Sequence, residues 1–208
     1  MKVIGINGSV NERGNTYLTI TAFFDELHKE GIETELIQIG DGRIPGCIAC
    51  RGCEEKGECI VPNEEFKELS AKLVAADGVF LAAPVYFGTM PGQMKAFLDR
   101  FFFQCIQTGR MRHKVGASMA ILRRSGAATT LDDLNRFFCS AEMIIVTAAG
   151  FASIHGARQG EVLQDAEGLG YAKRLARNMA WVLKMQEATK SSVAPPPHEK
   201  KQTMNFIR

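Results

Sequence analysis

The chain has 208 residues, enough for one α/β domain with a full apolar core and no need of staples. Charged residues make up 23% and hydrophobic ones 46%, a normal soluble balance, and a formal charge of +2 is too small to argue for nucleic acid. MKVIGING enters an apolar run without a cleavage site, and no stretch approaches the roughly 18 apolar residues of a membrane span, so a cytoplasmic protein is expected.

Short β-branched runs alternate with amphipathic helices along the chain. Residues 2–6 read as a strand, followed by a helix with Ile20, Phe23, Phe24 and Leu27 at i, i+3, i+4 and i+7, closed by Gly31. Residues 34–39 are a second strand. The loop over 40–62 holds four cysteines, after which Asn63 caps a helix with Phe66, Leu69 and Leu73 inward. Residues 78–83 form a third strand, and Pro91 opens a helix with Met94, Phe97, Leu98 and Phe101 on one face. Residues 115–122 are a fourth strand, and Thr130 with Asp133 has capping-box spacing ahead of Leu134 and Phe138. Residues 143–148 are a fifth strand, and a last helix presents Ala172, Leu175, Ala176, Met179 and Leu183.

Five apolar strands alternating with five helices predict a doubly wound α/β fold, a parallel sheet with helices on both faces. Residues 1–187 form that domain. Residues 188–208, where SSVAPPPHEKK breaks the periodicity, read as an extended C-terminal tail. In such folds ligands bind beyond the carboxyl ends of the strands, where the strand order reverses. The loops that follow the first four strands are therefore the places to look.

The first of these loops, GINGSVNERGNT at residues 5–16, lacks both the dinucleotide fingerprint and the P-loop spacing. It is rich in neutral donors, with Ser9, Asn15, Thr16 and the backbone amides opening a helix, which suits a phosphomonoester. An ordinary turn capped by Asn15 or Thr16 accounts for it equally well. The loop after the third strand, APVYFGTMPGQMKAFLDR, brackets Tyr86 and Phe87 between Pro84 and Gly88. A flat ring would lie against this turn with its polar edge toward the amides of residues 85–88. A phosphate cradle and an aromatic turn at one switch point together suggest FMN.

The segments GS-x4-GNT, PVYFGTMPGQMKAFLDR and LRRSGAATTLDDLNRFF resemble the flavodoxin-like NADPH-dependent FMN reductases over residues 1 to about 187. Within that family a C-x2-C-x2-C-x5-C loop after the second strand marks the iron–sulfur flavoproteins, and residues 47–59, CIACRGCEEKGEC, match it. The resemblance implies a flavodoxin-like five-stranded sheet and a homodimer or homotetramer. It also implies that Ser9, Asn15 and Thr16 hold the FMN phosphate. Pro84, Val85, Tyr86, Phe87 and Gly88 would hold the ring, helped by Ser125 and Gly126. Relatives often carry Pro-Arg after the phosphate serine; here Val10 and Asn11 stand there, and Arg13 is the candidate replacement charge.

Four thiols in a cytoplasmic chain have four readings. Disulfides are rare in that compartment. Zinc knuckles come as two separated C-x2-C pairs, and a redox dithiol needs only one. Cys47, Cys50, Cys53 and Cys59 come closer to a ferredoxin-type loop and favour a [4Fe–4S] cluster, with Gly46, Gly52 and Gly57 letting the loop bend. Cys105 and Cys139 read as small buried hydrophobes. His28, His113, His155 and His198 are scattered and form no expected set.

The expectation is an oxidoreductase passing electrons between cluster, FMN and a partner, either a ferredoxin-like donor or NAD(P)H. The alternatives are an NAD(P)H-dependent FMN or quinone reductase without a cluster, and a non-catalytic flavin-binding carrier or sensor. Met204, Phe206 and Ile207 at the tail's end need apolar cover, which agrees with an oligomer.

Overall fold

The computed structural model describes residues 1–199 together with 204 and 206. Strands β1 (Lys2–Asn7), β2 (Glu33–Gln38), β3 (Gly78–Pro84) and β4 (Val115–Leu122) are all parallel, in the order β2-β1-β3-β4. The fifth position is shared by two short pieces, β5 (Ile144–Ile145) beside the start of β4 and β6 (Ser153–His155) beside its end. This is the flavodoxin-like order 2-1-3-4-5.

Side-chain alternation along the buried strands sends Val79 and Leu81 to one face and Phe80 and Ala82 to the other. Helices α1 (Asn15–Lys29) and α6 (Ala166–Thr189) cover the Phe80 face, where Phe23 stacks on Phe80 at 3.9 Å between ring centroids. The opposite face carries α3 (Glu64–Ala75), α4 (Gly92–Thr108) and α5 (Ala127–Ser140), with Phe97, Phe101 and Phe102 of α4 fully buried. Asn63 caps α3 by accepting from the Phe66 amide at 2.7 Å, as its sequence position predicts. Among the described residues no helix is long and apolar enough to cross a membrane.

Three expectations need correction. The strand over residues 143–148 breaks after Ile145. The Val146 amide still donates to the Gly116 carbonyl at 2.9 Å, after which the chain leaves β4 and pairs with it again from Ser153. Thr130 and Asp133 are not a cap but lie inside α5, which starts at Ala127 because Gly126, at φ 95°, turns the chain into the helix earlier. Asp133 instead accepts from the Thr89 hydroxyl. A five-residue helix, α2 (Gly52–Lys56), forms inside the expected cysteine loop.

The tail leaves α6 after Thr189, and Arg112 Nη2 donates to the Pro196 and Pro197 carbonyls at 3.4 and 3.2 Å. Met204 and Phe206 are exposed, and Ile207 lies outside the described residues.

Glu26 of α1, buried at 6% exposure, joins Lys29 at 2.7 Å and Arg177 of α6 at 3.2 Å. The Lys29 bond, aided by Arg177, outweighs burial and holds the carboxyl below its ordinary value. A group depressed in the folded state contributes stability above its unfolded pKa and loses that contribution as pH falls through the folded value. Glu26→Gln should therefore lower Tm at pH 7, and the gap to the parent should close as pH drops below about 4. A gap that persisted in acid would show the contribution to be steric.

Candidate functional site

The carboxyl edge of the sheet is built around Gly8, whose amide donates to the Ala82 carbonyl at 3.0 Å and ties the end of β1 to β3. A Cβ at Gly8 would stand 2.3 Å from Met94 Sδ, so the start of α4 packs on this same point. The following turn is pre-formed. Asn7 Oδ1 accepts from the Ser9 amide at 3.0 Å, and Ser9 Oγ accepts from the Asn11 amide at 3.1 Å. Gln38 Nε2 at the end of β2 donates to the Ser9 carbonyl. Gly40 lies so close that a Cβ there would be 1.8 Å from that carbonyl oxygen.

Helix α1 then begins without a side-chain cap and without an acidic residue in its first turn, leaving its positive end uncompensated. Ser9 and Thr16 are buried beside it, and Arg13 is exposed. Asn15 is already committed: its Oδ1 accepts from the Gly160 amide at 2.8 Å and its Nδ2 donates to the Arg158 carbonyl at 2.9 Å. The Glu161 carboxylate in turn accepts from the Arg158 and Ala157 amides at 2.8 and 2.7 Å, bonds that hold its pKa below the ordinary value.

The second loop is a tight turn in which the Tyr86 and Thr89 amides each donate to the other residue's carbonyl, at 2.8 and 3.2 Å. Its two central residues, Phe87 and Gly88, have φ of 51° and 87°. A left-handed phenylalanine is strained, and this one is fully exposed, so packing does not account for it. Pro84 and Val85 are half-buried below it. Gly126 presses on the turn from the β4–α5 loop, where a Cβ would stand 2.6 Å from Val85 Cγ1, and Ser125 beside it is exposed. Residues 84–88, 125 and 126 therefore form one ledge.

The third loop gathers the thiols. Cys47, Cys50, Cys53 and Cys59 line a single narrow cavity together with Arg51, Ile60, Val61, Arg100 and Phe103. Two non-glycine residues of this loop, Ala49 at φ 54° and Arg51 at φ 61°, take left-handed conformations, and Cys47 and Cys50 are exposed while Cys53 is buried. Cys59 is anchored through its amide to Gln104 Oε1 at 2.8 Å, and its Sγ accepts from Arg100 Nε at 3.2 Å. Burial pushes the Cys53 thiol up, and the charges of Cys59, Cys47 and Cys50 would push it further. Among the described residues no group of three His, Cys, Asp or Glu side chains is arranged to hold a single metal ion. A polynuclear cluster makes a different demand, since its sulfurs stand apart around an inorganic core.

The sequence pattern of the NADPH-dependent FMN reductases matches residues 1–158, which span all three loops. The chain belongs to that family. An iron–sulfur flavoprotein of Methanocaldococcus jannaschii is 36% identical over 193 residues, 89% of this chain and 98% of that one. One from Methanosarcina thermophila is 31% identical over 148 residues, 70% of this chain and 77% of its own. RosB, solved with 8-demethyl-8-formylriboflavin 5′-phosphate bound, shares the fold, with a TM-score of 0.74 at 16% identity over 100% of this chain and 94% of that one.

For a member of the FMN reductase family, several residues that shape the site leave no motif. Gln38 and Gly40 fix the first loop from other elements, Glu161 fixes residues 157 and 158 beside Asn15, and Arg100 and Gln104 fix Cys59 from α4. The one sequence hint was Arg100 itself, a cation between the inward aromatics Phe97 and Phe101. Cys105 is buried as expected, its thiol pushed up to about 12 by burial. Cys139 is a correction: it is exposed, because α5 turns Leu134 and Phe138 to the core and the next residue points away. In native protein a small alkylating reagent should modify Cys139 and spare Cys105 until denaturation; modification of Cys105 first would contradict these placements.

Proposed function

We propose that this protein is an iron–sulfur flavoprotein oxidoreductase that passes electrons between a [4Fe–4S] cluster, FMN and a redox partner, either a ferredoxin-like donor or NAD(P)H. The observation that carries the reading is the convergence of four thiols on one cavity whose walls hold a buried guanidinium and no carboxylate. Soft thiolates with a nearby cation suit an anionic iron–sulfur core. Relatives named iron–sulfur flavoproteins, at 30–36% identity over most of the chain, support the same pairing of groups.

Bound here, flavin supplies one- and two-electron transfer and the cluster one-electron transfer, so the protein needs no acid or nucleophile of its own. In this reading Ser9, Thr16 and the free amides of α1 hold the FMN phosphate against the positive helix end. Asn15 maintains that cradle by fixing residues 158–160, and Arg13 places a cation at its rim. The ledge of Pro84, Val85, Tyr86, Phe87 and Gly88, backed by Ser125 and Gly126, carries the ring and keeps water from one face. Helix α4 links the two sites: Met94 touches the switch point, and Arg100 reaches the thiols about 9 Å further along the axis. The exposed Phe87, Phe151, Met204 and Phe206 support a homodimer or homotetramer in which a second copy covers them, a part of the reading that a monomer in sedimentation at micromolar concentration would remove.

Cys50→Ala or Cys53→Ala should abolish bound iron while leaving FMN in place, since the two groups use different loops. Reduction by a ferredoxin-like one-electron donor should then collapse, and hydride transfer from NAD(P)H should survive. An iron-free variant that still accepted electrons from ferredoxin at the parent rate would leave the cluster-free FMN or quinone reductase as the better reading.

A further inference from the structure

Arg100 is only 2% exposed, yet among the described residues it has no carboxylate partner. Its guanidinium lies over the Phe66 ring at 4.0 Å, Nη2 donates to the Val61 carbonyl, Nε donates to Cys59 Sγ, and Nη1 is buried with no acceptor. A buried cation facing a neutral thiol, a carbonyl and a ring is poorly compensated, and an unpaired buried charge is strongly unfavourable. Gln104, one turn along α4, is satisfied by Ser70 and the Cys59 amide and carries no charge. The counter-charge must come from whatever the thiol-lined cavity holds.

We propose that Arg100 is the counter-ion and tuning residue of that cavity. Its Nε–H donates to the Cys59 thiolate, its free Nη1 faces the remaining negative charge, and its cation favours the more reduced, more negative state of a bound cluster. The inference rests on the cluster reading above. It adds that one arginine of α4, outside the cysteine motif, sets how readily the site accepts an electron. Net charge and hydrogen bonds to the sulfurs are the levers by which a protein moves such a potential.

The test uses holoprotein purified without oxygen, with iron, sulfide and FMN measured beside an EPR-monitored redox titration, for the parent, Arg100→Lys and Arg100→Met. Arg100→Met keeps length and packing but removes the charge. Its cluster should be at least tenfold harder to reduce, a shift of about 59 mV to more negative potential for one electron. The FMN content should not change. Arg100→Lys, which keeps the charge, should stay near the parent. Loss of iron in Arg100→Met but not in Arg100→Lys, with FMN retained in both, would support the same role at the level of assembly. A parent-like potential in Arg100→Met would overturn the inference and leave the cluster reading standing. Parent protein without iron and sulfide would overturn both. Should Arg100→Met fail to fold, pulsed EPR of the reduced parent labelled with 15N in arginine decides. A guanidinium coupling that disappears in Arg100→Lys supports the contact, and its absence from the parent ends it.

Discussion

The sheet places β1 between β2 and β3, and the crossovers from β1 and β3 run to opposite faces. A gap opens above the carboxyl ends of those two strands, and the whole site depends on it. The Gly8–Ala82 hydrogen bond carries the β1–β3 pairing up to its floor. Only glycine fits at position 40, where the Ser9 carbonyl already occupies the space of a side chain, and at position 8 a side chain would displace Met94. The loop that emerges is thus shaped by β2, β3 and α4 before any ligand arrives, which lowers the ordering cost of binding.

Helix α4 makes one site of two. Its first turn closes the switch point, its aromatic face fills the core, and Arg100 and Gln104 from its third and fourth turns hold Cys59. Three of the five left-handed non-glycine residues among the described residues lie in these loops, the other two being His113 and Glu142. Ala49, Arg51 and Phe87 all hold left-handed backbone, two in the cysteine loop and one at the tip of the ring ledge.

Legibility in the sequence followed the range of the interaction. The spacing of Ile20, Phe23, Phe24 and Leu27, the Asn63 cap and the apolar strands are local signals and gave the doubly wound architecture. The break in the fifth strand was hidden because residues 143–148 are continuously apolar or β-branched, while the pairing with β4 stops at Ile145 and resumes at Ser153. Thr130 and Asp133 have a cap's spacing, but the helix start was decided by Gly126 packing on Val85 and Gly88. Asn15 reads as a phosphate donor from its neighbours, whereas its amide is bound to residues 158 and 160. The cysteines were legible as a set. Their counter-charge was not, since Arg100 lies 41 residues from Cys59.

The central claim is that the four thiols of residues 47–59 hold a polynuclear cluster and not a lone ion. Mössbauer spectroscopy of protein grown on 57Fe and kept anaerobic tests this directly, because it distinguishes a cubane from a mononuclear tetrathiolate iron. The expected result is a [4Fe–4S] spectrum with about four irons per chain. A mononuclear iron signal, or iron-free protein whose thiols are all titratable, would contradict it.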